Sequence, residues 1–382
     1  MSNGKESYSP VNMLNLPDEI LLNCLSRVSR LYYQTLFLVS KRFRSLIASL
    51  ELYETRTLLD RTENCLYLCL SFSFGSDPRW FTLCRRPTRN PNPKTNSGWF
   101  TPCFKPYKKS SDKLMVSVQT HDCSPPLAWS RTAIGSKIYV IGTKRDHRVF
   151  FMDCRSHAWH EAPSMQIFRK WETVSVLDRK IYVVEGWTGP GYSDLMEVFD
   201  PKTQIWEHVP SPRAEILNQS LILRSLALDG KLYVYGSDKT MVYKPNENTW
   251  DVVENSETRP LIIGTFFPSC VIDNVMYCSV MLRVLQWYDS EGRLWRVFKG
   301  LEELPKLPKC RSRVKLVDYG GKIAVLWEKR ASAIGFDKKI WCAVIAVDRR
   351  SDHEVYGKIE WCDVVLTVPR SCRLLQFLAV NV

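Results

Sequence analysis

The spacing of hydrophobic positions divides the chain into a short helical stretch and a long stretch of alternating strands. Between Leu16 and Ser49, apolar residues recur at three- and four-residue steps, which is typical of amphipathic helices. After Arg61 the period changes to two, and short apolar runs are separated by turn residues such as Asp229-Gly230. The pattern predicts a small all-α module followed by a mainly β domain.

The helical module is predicted to contain two apolar stripes. Pro17 can open a helix without losing a backbone bond, and the acidic residues Asp18 and Glu19 complement the positive end of its dipole. The first stripe contains Ile20, Leu21, Cys24, Leu25 and Val28, and the second contains Leu36, Val39, Phe43, Leu46, Ile47 and Leu50. A module this short cannot bury both stripes without a partner or a neighbouring domain.

The remainder of the chain contains a unit that recurs at about forty-five residues, the spacing expected for propeller blades. Five units begin near Ile134, Val176, Ala227, Val271 and Leu316. Each reads as four short antiparallel strands, and strands at Cys65–Leu70, Trp80–Cys84 and Leu114–Val118 supply a sixth sheet. The C-terminal segment 373–380 is expected to pair into this sheet and close a six-bladed ring. A seventh blade would need further strands between Gly98 and Lys113.

Both parts of the chain resemble known sequence motifs. The runs Leu16-Pro17-Asp18-Glu19-Ile20, Cys24-Leu25 and Val39 to Ile47 are similar to the F-box, and the repeats are similar to kelch repeats. The usual double glycine of the kelch repeat is reduced here to the single residues Gly142, Gly186 and Gly236. An F-box followed by degenerate kelch repeats resembles a large family of plant proteins.

The F-box resemblance implies that the helical module docks on a small Skp-type adaptor, which joins it to a cullin scaffold. It places eight residues in or behind the docking face: Leu16, Pro17, Ile20, Leu25, Val39, Phe43, Leu46 and Ile47. Three departures bear on adaptor binding, since Ser40 replaces the usual Cys, Phe43 replaces the usual Trp, and no Pro precedes the second helix. The alternative is a helical hairpin that simply packs on the following domain.

The propeller is expected to capture a protein client with the loops that join the second and third strands of each blade, because a rigid scaffold positions these loops along one rim. The candidates are Lys144, Arg145, Arg148, Glu185, Trp187, Asp238, Lys239, Lys329 and Arg330. Their basic-leaning chemistry favours an acidic or phosphorylated segment. The alternative is that each is an ordinary solvated loop residue.

Composition narrows the class of protein further. Hydrophobic residues make up 45% of the chain, enough for a globular core, and the net charge is +13. Much of this charge lies within 85–113 and 293–315, without a recognised nucleic-acid module, so a nucleic-acid partner is not expected. The 13 cysteines occur without a signal peptide or an apolar run long enough to cross a bilayer. Free thiols and a location in the cytoplasm or nucleus are expected.

The sequence predicts neither catalytic residues nor a metal or cofactor. Cys154, His157 and His160 have a spacing that suggests zinc, but no second pair of ligands occurs and structural zinc sites usually need four. The segment 186–191 does not have the glycine order of a phosphate-binding loop, and no G-x-S-x-G motif is present. The repeat register accounts for these residues without any chemistry.

The resulting interpretation is a disordered segment 1–12, an F-box module 13–58 and a kelch-type propeller 62–382 closed by strand 373–380. The family resemblance implies a substrate-recognition subunit of an SCF-type ubiquitin ligase that is not itself an enzyme. Two alternatives stay open. The propeller could bind proteins independently of a ligase, or it could be an enzyme with its site in the central channel.

Overall fold

The computed structural model describes most of the chain. The described residues are 16–72, 77–85, 113–118, 125, 130–142, 146–169, 172–186, 195–210, 221–237, 239–254, 258, 261, 264–279, 284–308, 310, 313–331, 336–351 and 353–382. The predicted disordered segment 1–12 and residues 98–112, proposed above as a source of further strands, lie outside these ranges.

The N-terminal module is helical, as its periodicity predicted, but it contains more breaks than the two stripes indicated. Its elements are α1 (Asp18–Ser26), a 3-10 turn (Arg30–Tyr32), α2 (Tyr33–Leu36), α3 (Lys41–Ala48) and α4 (Leu50–Leu58). Serine caps cause the breaks: Ser40 Oγ accepts from the Phe43 N–H at 3.1 Å, and Ser49 Oγ accepts from Leu52. The second predicted stripe is therefore shared among three short helices.

The described strands form six antiparallel sheets of four strands each, and a six-bladed kelch-type propeller is confirmed. Blade 1 contains β24 (Arg373–Asn381), β1 (Asn64–Ser71), β2 (Arg79–Arg85) and β3 (Lys113–Ser117). Blade 2 contains β4 (Ser130–Ile134), β5 (Lys137–Ile141), β6 (Val149–Asp153) and β7 (Ala158–Ala162). Blade 3 contains β8 (Thr173–Leu177), β9 (Lys180–Val184), β10 (Met196–Asp200) and β11 (Ile205–Val209).

Blades 4 to 6 repeat this arrangement. Blade 4 contains β12 (Ile222–Leu228), β13 (Lys231–Gly236), β14 (Lys239–Lys244) and β15 (Thr249–Glu254). Blade 5 contains β16 (Ser269–Ile272), β17 (Val275–Ser279), β18 (Leu285–Asp289) and β19 (Leu294–Val297). Blade 6 contains β20 (Val314–Asp318), β21 (Lys322–Arg330), β22 (Asp337–Ser351) and β23 (Glu354–Pro369).

The C-terminal strand closes the ring. β24 pairs antiparallel with β1 from Asn64 opposite Asn381 to Ser71 opposite Arg373, and it lies between the inner strands β20 and β4. Glu63 and Val382 exchange backbone hydrogen bonds of 2.8 and 2.9 Å at the end of this pair. The first blade therefore combines strands from both ends of the domain, which leaves no open inner edge there.

The recurring tryptophan ties neighbouring blades together. Trp206 packs on Phe199 of its own blade, with ring centroids 4.9 Å apart, and its Nε1 donates to the Pro163 carbonyl of blade 2 at 2.7 Å. One repeat later, Trp250 Nε1 donates in the same way to the Pro210 carbonyl of blade 3 at 2.6 Å. The repeat at about forty-five residues thus places the same hydrogen bond at two successive junctions, between blades 2 and 3 and between blades 3 and 4.

The module and the predicted client loops lie at opposite ends of the propeller. Turns between first and second strands, such as Asp229-Gly230 with both φ angles positive, mark one end, which we call the module face because the helices pack there. Loops joining second and third strands mark the other end, which we call the far face. There Met165 N donates to the His147 carbonyl at 2.9 Å, which places the loops between blades on the far face too.

Candidate partner-binding surfaces

The eight predicted docking residues divide into an exposed set and a buried set. Ile20 and Val39 are 48% and 54% exposed, and Pro17 is also exposed. Leu16 is half-buried, whereas Leu25, Phe43, Leu46 and Ile47 are buried in a cluster of the core. Only the exposed residues are available to contact an adaptor, and the buried ones support them from within.

Three further leucines of the module are exposed and were not among the predicted docking residues, and Leu58 at the end of α4 is the most exposed of them at 86%. Leu38 precedes Val39 and is 48% exposed, and Leu50 opens α4 at 50% exposed. The run Phe37-Leu38-Val39 follows the end of α2 in a turn, and three consecutive apolar residues there cannot all point into the core. The exposed residues Ile20, Leu38, Val39 and Leu50 are the candidate adaptor-binding residues of the module, and we call them the docking surface.

The buried side of the module packs on the propeller. Its core cluster includes Phe43 and Tyr53 from the helices together with Tyr67, Trp80 and Trp159 from blades 1 and 2. Helices with one face buried against a sheet are held in place by the same apolar burial that stabilises each domain. The module is thus seated on the propeller in one orientation.

Arg56 makes polar contacts where the module meets the propeller. It is 1% exposed, and its Nη1 donates to the carbonyls of Ser26 at 3.1 Å and Val28 at 2.8 Å and to Tyr33 Oη at 2.9 Å. Its Nη2 lies 3.4 Å from a Glu63 carboxylate oxygen. Burial raises the pKa of the Tyr33 hydroxyl to about 12, so this partner stays protonated at neutral pH.

Arg30 links the module to blade 2. Its backbone N–H donates to Glu63 at 2.7 Å, and its Nη2 donates to the Cys154 carbonyl at 3.0 Å. Tyr67 Oη donates to the same carbonyl at 3.2 Å and lies 2.8 Å from His157 Nε2. Burial, followed by the Arg30 charge, lowers the pKa of His157 to about 3, so the imidazole is neutral here.

Two of the three residues that suggested zinc, Cys154 and His157, therefore lie where the module meets blade 2, and His160 packs within its own blade. The Cys154 carbonyl bonds the module, and Phe151 stacks on His160 with ring centroids 5.1 Å apart. In the part of the chain that the structure describes, no group of three His, Cys, Asp or Glu side chains could hold a metal ion. A cavity of about 330 Å³ also opens at this junction, next to Arg30, Glu63 and Tyr319.

A glycine turn of blade 6 approaches the first strand of blade 1 closely, which gives a testable consequence. Gly320 and Gly321 both have positive φ angles, +63° and +78°. A Cβ on Gly320 would clash with the Asn64 amide, whereas a Cβ on Gly321 would meet open space. We expect Gly321→Ala to lower the free energy of unfolding by about 1–2 kcal/mol through backbone strain alone. Gly320→Ala should lower it further, as urea denaturation would measure, and equal effects would contradict this close contact.

Five of the nine predicted client residues lie within the described ranges. Arg148, Lys239, Lys329 and Arg330 are exposed, and Arg148 pairs with Asp146 at 2.8 Å. Glu185 is only 3% exposed, so its carboxylate is not presented to a client. Lys144, Arg145, Trp187 and Asp238 lie outside the described residues.

The far end of blade 6 concentrates positive charge. In the hairpin formed by β21 and β22, Lys329 lies directly opposite Lys339, and Arg330 lies opposite Lys338. Lys338 Nζ donates to Glu328 at 2.8 Å, and both side chains are buried. Like charges directly opposite each other destabilise a strand pair, so this hairpin favours an anionic partner.

None of the helices in the described ranges is long and apolar enough to span a bilayer.

Comparisons with known proteins cover nearly the whole chain. A family model described as an F-box domain matches residues 13–55, and one described as the FKB95 kelch-repeats domain matches residues 80–366. Two putative F-box/kelch-repeat proteins of Arabidopsis thaliana are 58% and 57% identical to this chain. The matches cover 100% of both sequences for the first, and 98% of this chain and 99% of the relative for the second. An F-box/kelch-repeat protein of the same plant is 43% identical, covering 98% of this chain and 95% of its own length.

Proposed function

Because the chain belongs to the F-box/kelch-repeat family, we propose that it is the substrate-recognition subunit of an SCF-type ubiquitin ligase. Its docking surface binds a Skp-type adaptor and, through it, a cullin scaffold. Its propeller captures a protein client in the cytoplasm or nucleus. The ubiquitin transfer itself is the chemistry of other subunits, so the proposal gives this chain no catalytic residue.

The observation that carries the proposal is that the docking surface and the far face, which differ in chemistry, lie at opposite ends of a module and propeller that pack together. The docking surface is apolar and exposed, which suits a helix face that anchors in a partner's groove. The far face carries the exposed cations Lys239, Lys329 and Arg330. The contacts of Arg30 with the Cys154 carbonyl and of Arg56 with Glu63 fix the module on the propeller, so a client held on the far face keeps one orientation towards the ligase.

The orientation of the client matters because the proposed subunit acts by holding the client close to an activated ubiquitin. Tethering a client beside an activated ubiquitin thioester converts an encounter between molecules into an effectively intramolecular one, at a high local concentration of client lysines. A loose connection between module and propeller would dilute this effect over many orientations. The buried interface between the module and the propeller therefore supports the proposed role.

Two of the sequence departures from the family pattern do not bear on the exposed docking surface. Phe43 is buried in the core cluster, where it replaces the usual Trp as a packing residue. Ser40 uses its hydroxyl to cap α3 through the Phe43 N–H. Both residues thus serve the fold of the module, and the exposed Ile20 and Val39 keep the apolar chemistry that adaptor binding requires.

We expect the purified full chain to form a one-to-one complex with a Skp-type adaptor, measured by co-expression and size-exclusion chromatography. In cells, proximity labelling with an adaptor-binding-deficient variant should enrich clients that the wild-type chain depletes. Client capture without any adaptor would favour the ligase-independent scaffold. Turnover of a small molecule that survives removal of the adaptor would favour an enzyme instead.

A further inference from the structure

The far-face mouth of the central channel carries cations on four of its six inner strands. Each lies within the first three residues of its strand, at the end nearest the far face. They are Arg131 in β4, Arg224 in β12, Lys315 in β20 and Arg373 in β24. We call these four residues the mouth cations.

Two of the mouth cations, Arg224 and Lys315, are near enough to repel each other, and the described residues provide neither with a counter-ion. Arg224 is exposed and Lys315 is half-buried, and among the described residues neither has a hydrogen-bond or ion-pair partner. Burial and then the neighbouring Arg224 charge lower the pKa of Lys315. The inner strand of blade 5, which lies between them, contributes no charged side chain, since β16 reads Ser-Cys-Val-Ile. Their mutual repulsion is relieved when an anion binds between them.

The side of the mouth across the ring from blade 6 carries an acidic residue. Glu172 immediately precedes the inner strand β8 of blade 3, which lies across the ring from blade 6. Its Oε1 accepts from Ser130 Oγ at 2.9 Å, and burial, together with the nearby Glu185, raises its pKa to about 7. The mouth therefore carries cations on blades 1, 2, 4 and 6, and Glu172 places an acidic group on blade 3.

The positive charge of the mouth continues outward over blade 6. Lys329 and Arg330 extend it along the hairpin of β21 and β22, and Phe336 at the tip of this hairpin is 89% exposed. An anion that bound only inside the channel would not contact this hairpin. A chain that bears several negative charges and one apolar side chain would satisfy both places at once.

We propose that the mouth cations bind an acidic segment of the client protein, whose carboxylates or phosphates lie between Arg224 and Lys315 and continue over blade 6. This inference rests on the proposed function and specifies its client class. An extended acidic segment fits better than a folded acidic face, because the mouth cations lie inside the rim of the channel. Residues at the mouth should then control dissociation, whereas the hairpin cations should control the salt-dependent association rate.

The test uses fluorescein-labelled decaglutamate as the probe, with decaglutamine as the uncharged control and fluorescence anisotropy as the readout. The double variant Arg224→Gln/Lys315→Gln should weaken decaglutamate binding about tenfold or more, mainly through faster dissociation. The double variant Lys329→Gln/Arg330→Gln should weaken it only a few-fold, mainly through slower association. Lys231→Gln is the matched control, because it removes a cation from the same blade as Arg224 but at the module face.

The alternative outcomes are distinct. Unchanged binding in the mouth variant, or an equal loss in Lys231→Gln, would overturn the inference, as would preferential binding of a ten-nucleotide single-stranded DNA. A peptide carrying phosphoserines in place of glutamates shows which anion the mouth prefers. Adaptor binding is measured on the same proteins. Loss of site-specific peptide binding with the adaptor retained would refute this inference alone, and loss of the adaptor with peptide binding intact would refute the proposed function.

Discussion

The double variant Ile20→Asp/Val39→Asp is expected to lose adaptor binding while the propeller stays folded. Both residues lie on the docking surface and are about half exposed, so the free protein tolerates a charge at either position. In the complex, each carboxylate would be buried against an apolar groove without a partner, which costs several kcal/mol. Because hot-spot anchors each contribute about 2 kcal/mol or more, the dissociation constant should rise by about a thousandfold. Isothermal titration with purified adaptor would measure this change.

Two control variants separate binding from folding. Leu58→Asp changes a residue of the same module that is 86% exposed and lies outside the docking surface, and it should leave adaptor affinity unchanged. Phe43→Ala should lower the free energy of unfolding by about 3–5 kcal/mol, because it opens a cavity in the core cluster. Adaptor affinity close to wild type in the Ile20→Asp/Val39→Asp variant would contradict the assigned docking surface.

The difference between these variants marks the limit of the sequence prediction for the module. Periodicity correctly placed Ile20, Leu25 and Phe43 on apolar stripes, because spacing reports which residues share a helix face. It could not report which members of each stripe are buried, since that depends on contacts with Tyr67 and Trp80 far along the chain. The predicted docking set therefore mixed exposed anchors with core residues.

The propeller was more predictable because its repeats make the same local contacts several times. Turn residues such as Asp229-Gly230 and the recurring Trp206 have a role within one blade and its neighbour, so a single sequence contains their signal. Glu185 is different. It follows a strand, as predicted, and its backbone N–H donates to the Leu195 carbonyl. Its side chain, however, is buried instead of facing a client. Burial of a charged residue depends on tertiary neighbours that periodicity does not identify.

One such neighbourhood gives the largest expected effect on stability. Arg169 and Glu197 form an ion pair at 3.2 Å, and both side chains are 0% exposed. Arg169 Nη1 also donates to the Leu195 carbonyl at 3.0 Å, and Glu197 Oε1 accepts from the Gln166 N–H at 3.0 Å. The pair thus fixes the segment between blades 2 and 3 to the second hairpin of blade 3. Sequence spacing gave no sign of it, since the partners lie in different elements.

Glu197→Ala is expected to lower the free energy of unfolding by about 3–5 kcal/mol, because it removes the carboxylate that pairs with the fully buried Arg169 guanidinium. The double variant Arg169→Met/Glu197→Leu should be more stable than either single variant, since replacing both charges removes the desolvation cost together with the attraction. Asp146→Ala breaks a pair whose Arg148 side chain is 53% exposed and should cost at most about 1 kcal/mol. Urea denaturation of the wild-type chain, these variants and the single variants Arg169→Met and Glu197→Leu would measure these differences. A Glu197→Ala cost as small as that of Asp146→Ala would mean that water reaches the Arg169 site, and the segment between blades 2 and 3 would then be held by its backbone contacts rather than by this ion pair.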